Sequence, residues 1–251
     1  MATVVIVPGS FSPTHSYDIQ TESLSRHGIP SVVVSTPSVS RWGKDVPPAT
    51  MSDDADEIVR VVEPLLAEGK KVVLLAHSYG GVPLTQSLER LSRKARSAQG
   101  KSGGIESVIY LTAIVLPVGA SNVDGLGGKL PEFVTPKGDY MTLDPVVNGA
   151  LTFSDLPTEQ GLEWANKMAG HSTATFQEKL TYAGYNDVNA HYIVCEQDKI
   201  IPQEAQYGMI ELIKTSSGRD VTVHKLDSGH APIISQPENV SIIAKKVIEG
   251  L

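Results

Sequence analysis

Short runs of apolar, β-branched residues alternate with longer amphipathic stretches along most of this chain. The apolar runs predict buried strands at residues 4–7, 31–35, 71–76, 105–113, 191–195 and 220–225. Apolar residues spaced three and four apart predict helices between these runs. Strands that are apolar on both faces and joined by helices predict an α/β fold, with a mostly parallel sheet covered by helices on both faces.

Some helix ends are marked by capping residues. Ser52, followed by two acidic residues, predicts the N-cap of a helix that ends at Gly69. One helix is predicted over 79–98. The last helix is predicted to begin at 235–238, where Ser235 and Glu238 have the spacing of a capping box and a proline occupies the first turn.

The alternation stops between residues 117 and 190. This stretch shows no clear strand, is rich in Gly, Pro and Asp, and contains helical pieces at about 159–169 and 173–183. We therefore predict a core of residues 1–116 and 191–251. Residues 117–190 are predicted to be a cap inserted at the carboxyl edge of the sheet.

Composition and charge exclude several classes of function. The 251 residues carry a net charge of −7, which does not suit a protein that binds nucleic acid or an anionic membrane. Cys195 is the single cysteine, so an internal disulfide and a cysteine-based zinc site are excluded. The apolar stretch 108–118 is too short to span a bilayer, and the N-terminus lacks the features of a signal peptide. We expect a cytoplasmic monomer or homodimer.

A candidate nucleophile follows the third predicted strand. The sequence Ala76-His77-Ser78-Tyr79-Gly80-Gly81 places a serine between small residues at the junction of a strand and a helix. This is the context of the G-x-S-x-G elbow, where a strained turn exposes the serine hydroxyl at a helix N-terminus. Ser78 is therefore the predicted nucleophile, and His77 is predicted to face away from the substrate.

An acid and a base follow two later strands. A serine hydroxyl needs a base within hydrogen-bond reach, and the base needs an acid that fixes its tautomer. Asp198 and His230 each follow one of two successive strands, which places them at the same edge of the sheet. Glu196 and Asp227 remain rival acids.

Two backbone N–H groups are expected to stabilise the oxyanion of an acyl-transfer reaction. The residue after the nucleophile, Tyr79, supplies one. The loop after the first strand supplies the other, with Ser10 as the predicted donor and Phe11 as an alternative donor or a pocket wall.

These segments together resemble the α/β-hydrolase superfamily over nearly the whole chain. The likeness is to the small esterase branch of plant methylesterases, hydroxynitrile lyases and related bacterial and fungal esterase-like proteins. It is carried by residues 7–11, 76–81, 196–202 and 227–232. It implies the triad Ser78, Asp198 and His230, backbone donors from Ser10 and Tyr79, and a cap at 117–190. We expect no cofactor and no metal, since hydrolysis by such a triad needs none. Pro8 and Ala76 depart from the His and Gly that are usual in the branch.

Three classes of function remain open at this point. The first is hydrolysis of a carboxylic ester or lactone of a small, largely apolar molecule through an acyl-enzyme. The second is a lyase, cyclase or isomerase of secondary metabolism that uses the same Ser/His pair, although Ala231 replaces the lysine of the plant lyases. The third is a ligand-binding receptor. The candidate pocket residues are Phe11, His15, Trp164, His171 and Phe176. His171 is the cap residue to test first, because it can donate to a substrate oxygen; the alternative is a surface histidine.

Overall fold

The computed structural model describes residues 2–41 and 46–251 and contains a large parallel sheet and a small antiparallel one. The strands in these ranges are β1 (Ala2–Val7), β2 (Ser31–Val33), β3 (Lys71–His77), β4 (Ser107–Leu111), β5 (Val134–Lys137), β6 (Tyr140–Leu143), β7 (His171–Ser172), β8 (Asn189–Cys195) and β9 (Thr222–Leu226). The large sheet has the order β2-β1-β3-β4-β8-β9, with every neighbouring pair parallel. The predicted α/β class is confirmed.

Helices separate the strands of the large sheet and cover both of its faces. They are α1 (Asp18–Arg26), α2 (Pro37–Ser40), α3 (Met51–Ala67), α4 (Gly81–Leu91), α5 (Arg93–Ala98), α6 (Asn122–Gly125), α7 (Pro145–Thr152), α8 (Thr158–Asn166), α9 (Ala174–Gln177), α10 (Gln203–Ser217), α11 (Pro232–Ser235) and α12 (Pro237–Glu249). Among the described residues, no helix is long and apolar enough to cross a bilayer.

Alternate residues of the central strands point to opposite faces of the sheet, and each set enters a separate core. In β1, Val5 and Val7 belong to the core formed with α3, α4 and α10. Val4 and Ile6 belong to the core formed with α1 and α12. This two-sided burial explains why the strands are apolar without alternation.

The predicted helix starts require two corrections. Thr50, not Ser52, is the N-cap of α3, because its hydroxyl accepts from the N–H of Asp53 while the Asp53 carboxylate accepts from the N–H of Thr50. The capping box predicted at Ser235 is wrong. Gln236 is the N-cap of α12, and the Glu238 side chain instead binds groups of α1 and its C-terminal end.

The predicted helix over 79–98 is two helices. Ser92 adopts an extended conformation between α4 and α5, and its hydroxyl caps α5 by accepting from the N–H of Ala95 at 3.1 Å. The interruption is stabilised by Ile105, which exchanges backbone hydrogen bonds with Leu91 and Arg93. This tertiary contact has no local sequence signal.

The segment between β4 and β8 contains the small sheet, in the order β5-β6-β7. We call residues 117–190 the insert. The absence of strands predicted here is wrong, because strands of two to four residues are too short to show an alternating pattern. Of the predicted pieces, 159–169 corresponds to α8, whereas 173–183 forms only the four-residue α9.

Candidate active site

Ser78 occupies a strained turn between β3 and α4. Its φ is +54°, in the left-handed region that a non-glycine residue rarely adopts. Glycine is required beside it, since a Cβ at Gly80 would lie 2.5 Å from the Val7 carbonyl oxygen and one at Gly81 would collide with the Ile114 carbonyl oxygen. These close approaches explain the two small residues and position the Ser78 hydroxyl at the carboxyl edge of the sheet.

The structure brings the three predicted triad residues into one hydrogen-bonded line. Ser78 Oγ lies 3.0 Å from Nε2 of His230, and Nδ1 of His230 lies 2.7 Å from Oδ2 of Asp198. All three residues are buried. With a proton on Nδ1, His230 donates to the carboxylate and accepts the serine hydroxyl proton at Nε2, which is the arrangement that a general base requires.

Each of the two carboxylate oxygens of Asp198 accepts two hydrogen bonds. Oδ2 also accepts from the Thr112 hydroxyl at 2.5 Å, and Oδ1 accepts from the N–H groups of Ile200 and Ile201 at 2.7 and 2.9 Å. Burial opposes ionisation, but the charge of His230 and these hydrogen bonds outweigh it, so that the pKa of Asp198 is below its ordinary value. Asp198 is therefore held as a carboxylate.

The rival acids lie elsewhere. Glu196 pairs with Lys225 at 3.5 Å, and Asp227 is exposed while its carbonyl accepts from the Gln236 side chain. Thr112, which follows β4, is a site residue that the sequence reasoning missed. Its position at the carboxyl end of the strand next to β8 is the signal that could have identified it.

The loop after β1 lies directly against the candidate nucleophile. A Cβ at Gly9 would be 3.1 Å from Ser78 Cβ, a tight contact, and glycine at this position lets the two backbones approach closely. The next residue, Ser10, also lines the cavity that opens onto Ser78. The N–H groups of Ser10 and Tyr79 stay the candidate oxyanion donors.

The alternative donor, the N–H of Phe11, is already bonded. It donates to Nδ1 of His171 at 3.3 Å, and the carbonyl of Phe11 accepts from the N–H of Ala169 at 2.8 Å. Phe11 itself has a positive φ of 62°. Both backbone groups of Phe11 thus bind the insert, which fixes the loop that carries Ser10.

His77 links the base to this loop, contrary to its predicted orientation away from the site. Its Nε2 donates to the His230 carbonyl at 2.7 Å, and its Nδ1 accepts from the Tyr17 hydroxyl at 2.9 Å. That hydroxyl in turn accepts from the N–H of Gly9 at 2.8 Å. Burial, reinforced by the charge of His230, lowers the pKa of His77 to about 3. His77 therefore stays neutral, with its proton on Nε2.

A cavity of about 260 Å³ opens above Ser78 and His230. Phe11 and Phe176 line it, as predicted for the pocket, and most of the remaining wall is apolar. Among the described residues, no group of three or more His, Cys, Asp or Glu side chains is placed to hold a metal ion. The arrangement can activate a hydroxyl nucleophile beside an apolar ligand.

Three other predicted pocket residues do not line this cavity. His15 is exposed on the turn Thr14–Tyr17. Trp164 faces a separate small cavity, with Met168 lining both. His171 is fully buried behind the wall, where its Nε2 donates to the Thr175 hydroxyl at 2.8 Å. Both ring nitrogens of His171 are used, so it has no donor left for a substrate, and burial lowers its pKa to about 3.

Comparison with known proteins identifies the family. The sequence model described as the alpha/beta hydrolase family matches residues 4–241. The chain belongs to this family. It is 40% identical over 239 residues to "Probable hydrolase R7" of Phoma sp., covering 94% of each protein. It is 26% identical over 203 residues to polyneuridine aldehyde esterase of Rauvolfia serpentina, covering 76% of this chain and 74% of the esterase.

Among solved structures, methylesterase MES16 from Arabidopsis superposes with a TM-score of 0.76 at 18% identity, covering 100% of both chains. This likeness shows the shared fold. The family resemblance inferred from the sequence is confirmed, and the relatives support a hydrolase.

Proposed function

We propose that the protein is a serine hydrolase that cleaves a carboxylic ester or lactone of a small, largely apolar molecule through an acyl-enzyme. The observation that carries the proposal is the hydrogen-bonded line from Ser78 Oγ through His230 to Asp198. Its Ser78 end opens into a mostly apolar cavity. The sequence relative described above as polyneuridine aldehyde esterase supports ester substrates.

In the proposed acylation, Nε2 of His230 takes the proton of Ser78 while Oγ attacks the substrate carbonyl carbon. The carbonyl oxygen becomes an oxyanion and receives hydrogen bonds from the N–H groups of Ser10 and Tyr79. The tetrahedral intermediate collapses, His230 donates its proton to the departing alkoxide, and an alcohol leaves. For a lactone, the alcohol stays attached to the acyl group.

In the proposed deacylation, water gives a proton to His230 and attacks the acyl carbon. Collapse of this second intermediate returns the proton to Ser78 Oγ and releases a carboxylic acid. Asp198, held ionised by its four donors, stabilises the imidazolium that forms in each half-reaction.

We also propose that the insert acts as a cap over the site. Met168 and Phe176 of the insert line the cavity together with Ser78 and His230 of the core. Ligands of open parallel sheets bind outside the carboxyl ends of the strands, where Ser78 and His230 lie. A cover at this edge would exclude water from the acyl transfer until deacylation.

The first test is covalent labelling. A fluorophosphonate probe should label the wild type, and the Ser78→Ala variant should stay unlabelled. Hydrolysis of p-nitrophenyl acetate should show a burst of one p-nitrophenol per site, and reaction in ¹⁸O-water should place one ¹⁸O in the released acetate. Equal labelling of the variant would overturn the acyl-enzyme. A panel of p-nitrophenyl esters, methyl esters and δ-lactones then separates the substrate classes.

The second test concerns the acid. Asp198→Asn should lower kcat by about 10⁴-fold, because an amide favours the wrong tautomer of His230. Glu196→Gln and Asp227→Asn are matched controls that remove one charge each and should change kcat less than about twofold. A larger loss in either control would reassign the acid.

A further inference from the structure

Two buried polar side chains of the insert line the same cavity as Ser78 and His230. Asn148 and Thr152, which we call the polar corner, lie one turn apart on α7 and are 1% and 7% exposed. Both line the cavity, whose wall is otherwise mostly apolar. Neither is part of the triad or of the candidate oxyanion loop.

The orientation of the Asn148 amide is fixed within the corner. The Thr152 hydroxyl donates to Oδ1 of Asn148 at 2.7 Å, which occupies the oxygen end of the amide. The nitrogen end, Nδ2, has Met168 Sδ at 3.0 Å as its one acceptor among the described residues. A thioether is a weak acceptor, whereas the amide carries two N–H donors. Asn148 therefore presents an underused donor at the cavity wall.

The backbone that carries the corner is well fixed. Asp144 caps α7 by accepting from the N–H groups of Val146 and Val147. Gly149 of α7 packs against Gly161 of α8 so closely that a Cβ at Gly149 would lie 3.2 Å from the Gly161 carbonyl oxygen. A donor on so constrained a helix can select a ligand by the position of its acceptor.

We propose that Asn148 determines specificity by donating a hydrogen bond from Nδ2 to an oxygen of the substrate that is remote from the scissile carbonyl. The substrates are then esters or lactones of oxygenated apolar molecules, carrying a ketone, ether, hydroxyl or second ester oxygen, rather than esters of plain hydrocarbon chains. When a ligand without the matching oxygen binds, the buried N–H donor stays without a partner, and this costs free energy. The enzyme therefore discriminates against substrates that lack the oxygen. This inference rests on the proposed ester hydrolysis.

The test compares esters that differ by one ketone. The acyl series consists of the p-nitrophenyl esters of 4-oxopentanoic, 5-oxohexanoic and 6-oxoheptanoic acids, each paired with its unsubstituted parent. An alcohol series pairs acetates of oxo-alkanols with acetates of the parent alkanols. At one position of one series, the wild type should prefer the oxo ester by about tenfold in kcat/KM, the value of one neutral hydrogen bond.

For each variant, we measure the same ratio, kcat/KM of the oxo ester divided by kcat/KM of its parent. This ratio does not depend on the amount of active enzyme. Asn148→Leu keeps the size and removes the donor, so that the ratio should fall to about one. Thr152→Val frees the amide to rotate and should reduce the ratio. The matched control Met168→Leu removes the competing sulfur at similar volume and should keep or raise the ratio. No preference at any position, or a preference that survives in Asn148→Leu, overturns the proposal.

A binding experiment tests the role of Asn148 independently of the proposed hydrolysis. In the Ser78→Ala background, thermal shift measures how strongly each oxo ester and each parent binds without turnover. If the wild type hydrolyses no ester, the proposed function fails, while a stabilisation by one oxo ester that Asn148→Leu abolishes still supports the polar corner. Equal shifts for oxo esters and parents overturn it.

Discussion

The Thr112 hydroxyl donates to the same oxygen of Asp198 that accepts from His230, at 2.5 and 2.7 Å respectively. Thr112 is fully buried and has a positive φ of 35°. A strained backbone therefore positions the neutral Thr112 hydroxyl to donate to the Asp198 carboxylate. This donor stabilises the ionised form of Asp198 and contributes to the lowering of its pKa.

Thr112→Val should weaken catalysis without changing the shape of the site. A hydrogen bond to a charged group is worth about 1.5–3 kcal/mol, so that kcat/KM should fall by about 10- to 100-fold. Because the removed hydrogen bond lowers the pKa of Asp198, the loss of activity on acidification should begin at higher pH than in the wild type. Thr112→Ser retains the hydroxyl and should stay within a few-fold of wild type. An unchanged pH profile in Thr112→Val would show that the hydroxyl does not act through Asp198.

Tyr17→Phe should damage both stability and turnover. Its hydroxyl bridges the Gly9 N–H and Nδ1 of His77, and its removal leaves two buried polar groups without that partner. Each such group costs about 1–3 kcal/mol, and the loop beside Ser78 loses its link to His230. We expect a lower Tm and a lower kcat with little change in KM.

Tyr110→Phe is the control for Tyr17→Phe. Tyr110 is equally buried but belongs to the opposite core, where its hydroxyl bonds to Thr85 at 2.9 Å. This variant should lower Tm and leave kcat near the wild-type value. If the two variants lower kcat equally, the loss in Tyr17→Phe reflects general destabilisation.

His171→Ala should reduce turnover of all substrates by a similar factor. The ring holds the N–H of Phe11, and so the loop that carries Ser10, but it does not line the cavity. Thr175→Val removes the partner of its Nε2 and should act in the same direction. The measurement is kcat/KM over the ester panel for each variant. A change in the ranking of substrates, rather than a uniform loss, would mean that His171 contacts the substrate after all.

Asp54 should make the protein less stable as pH rises from about 4 to above 6. Burial raises its pKa from 3.8 to about 6, against the hydrogen bonds that it accepts from Ser38 and Tyr79. Between the unfolded and folded pKa values, the folded state binds the proton and the unfolded state does not, so stability falls with rising pH. The whole effect is roughly 3 kcal/mol.

Urea unfolding at several pH values, compared between the wild type and Asp54→Asn, measures this effect. The stability of the wild type relative to the variant should be highest below pH 4 and should decline through pH 6. A difference that is independent of pH would show that Asp54 has an ordinary pKa. Asp18→Asn is an exposed control that should leave the decline intact.

The sheet, and the positions of the candidate triad residues, could be predicted because their signals are local. A serine between small residues, and polar residues directly after apolar runs, mark Ser78, Asp198 and His230 in sequence alone. The roles of Thr112, His77 and His171 could not be obtained in this way. Each acts through a partner more than fifty residues away, and threonine or histidine in a buried position has no pattern that names its partner.

The insert was the least predictable part for a related reason. Its strands β5, β6 and β7 have two to four residues and are formed by pairing with one another and by packing on the core. The difference between His171 as a pocket wall and His171 as a support depends on that packing. Side-chain direction in short strands follows from tertiary structure, whereas in long buried strands it follows from the pattern itself.

Phe11 donates its N–H to His171 and offers its carbonyl to Ala169, so one residue of the core loop uses both backbone groups to bind the insert. An outward swing of this part of the insert would break both bonds and release the loop next to Ser78. The position of the Ser10 N–H, a candidate oxyanion donor, therefore depends on the contact between Phe11 and the insert.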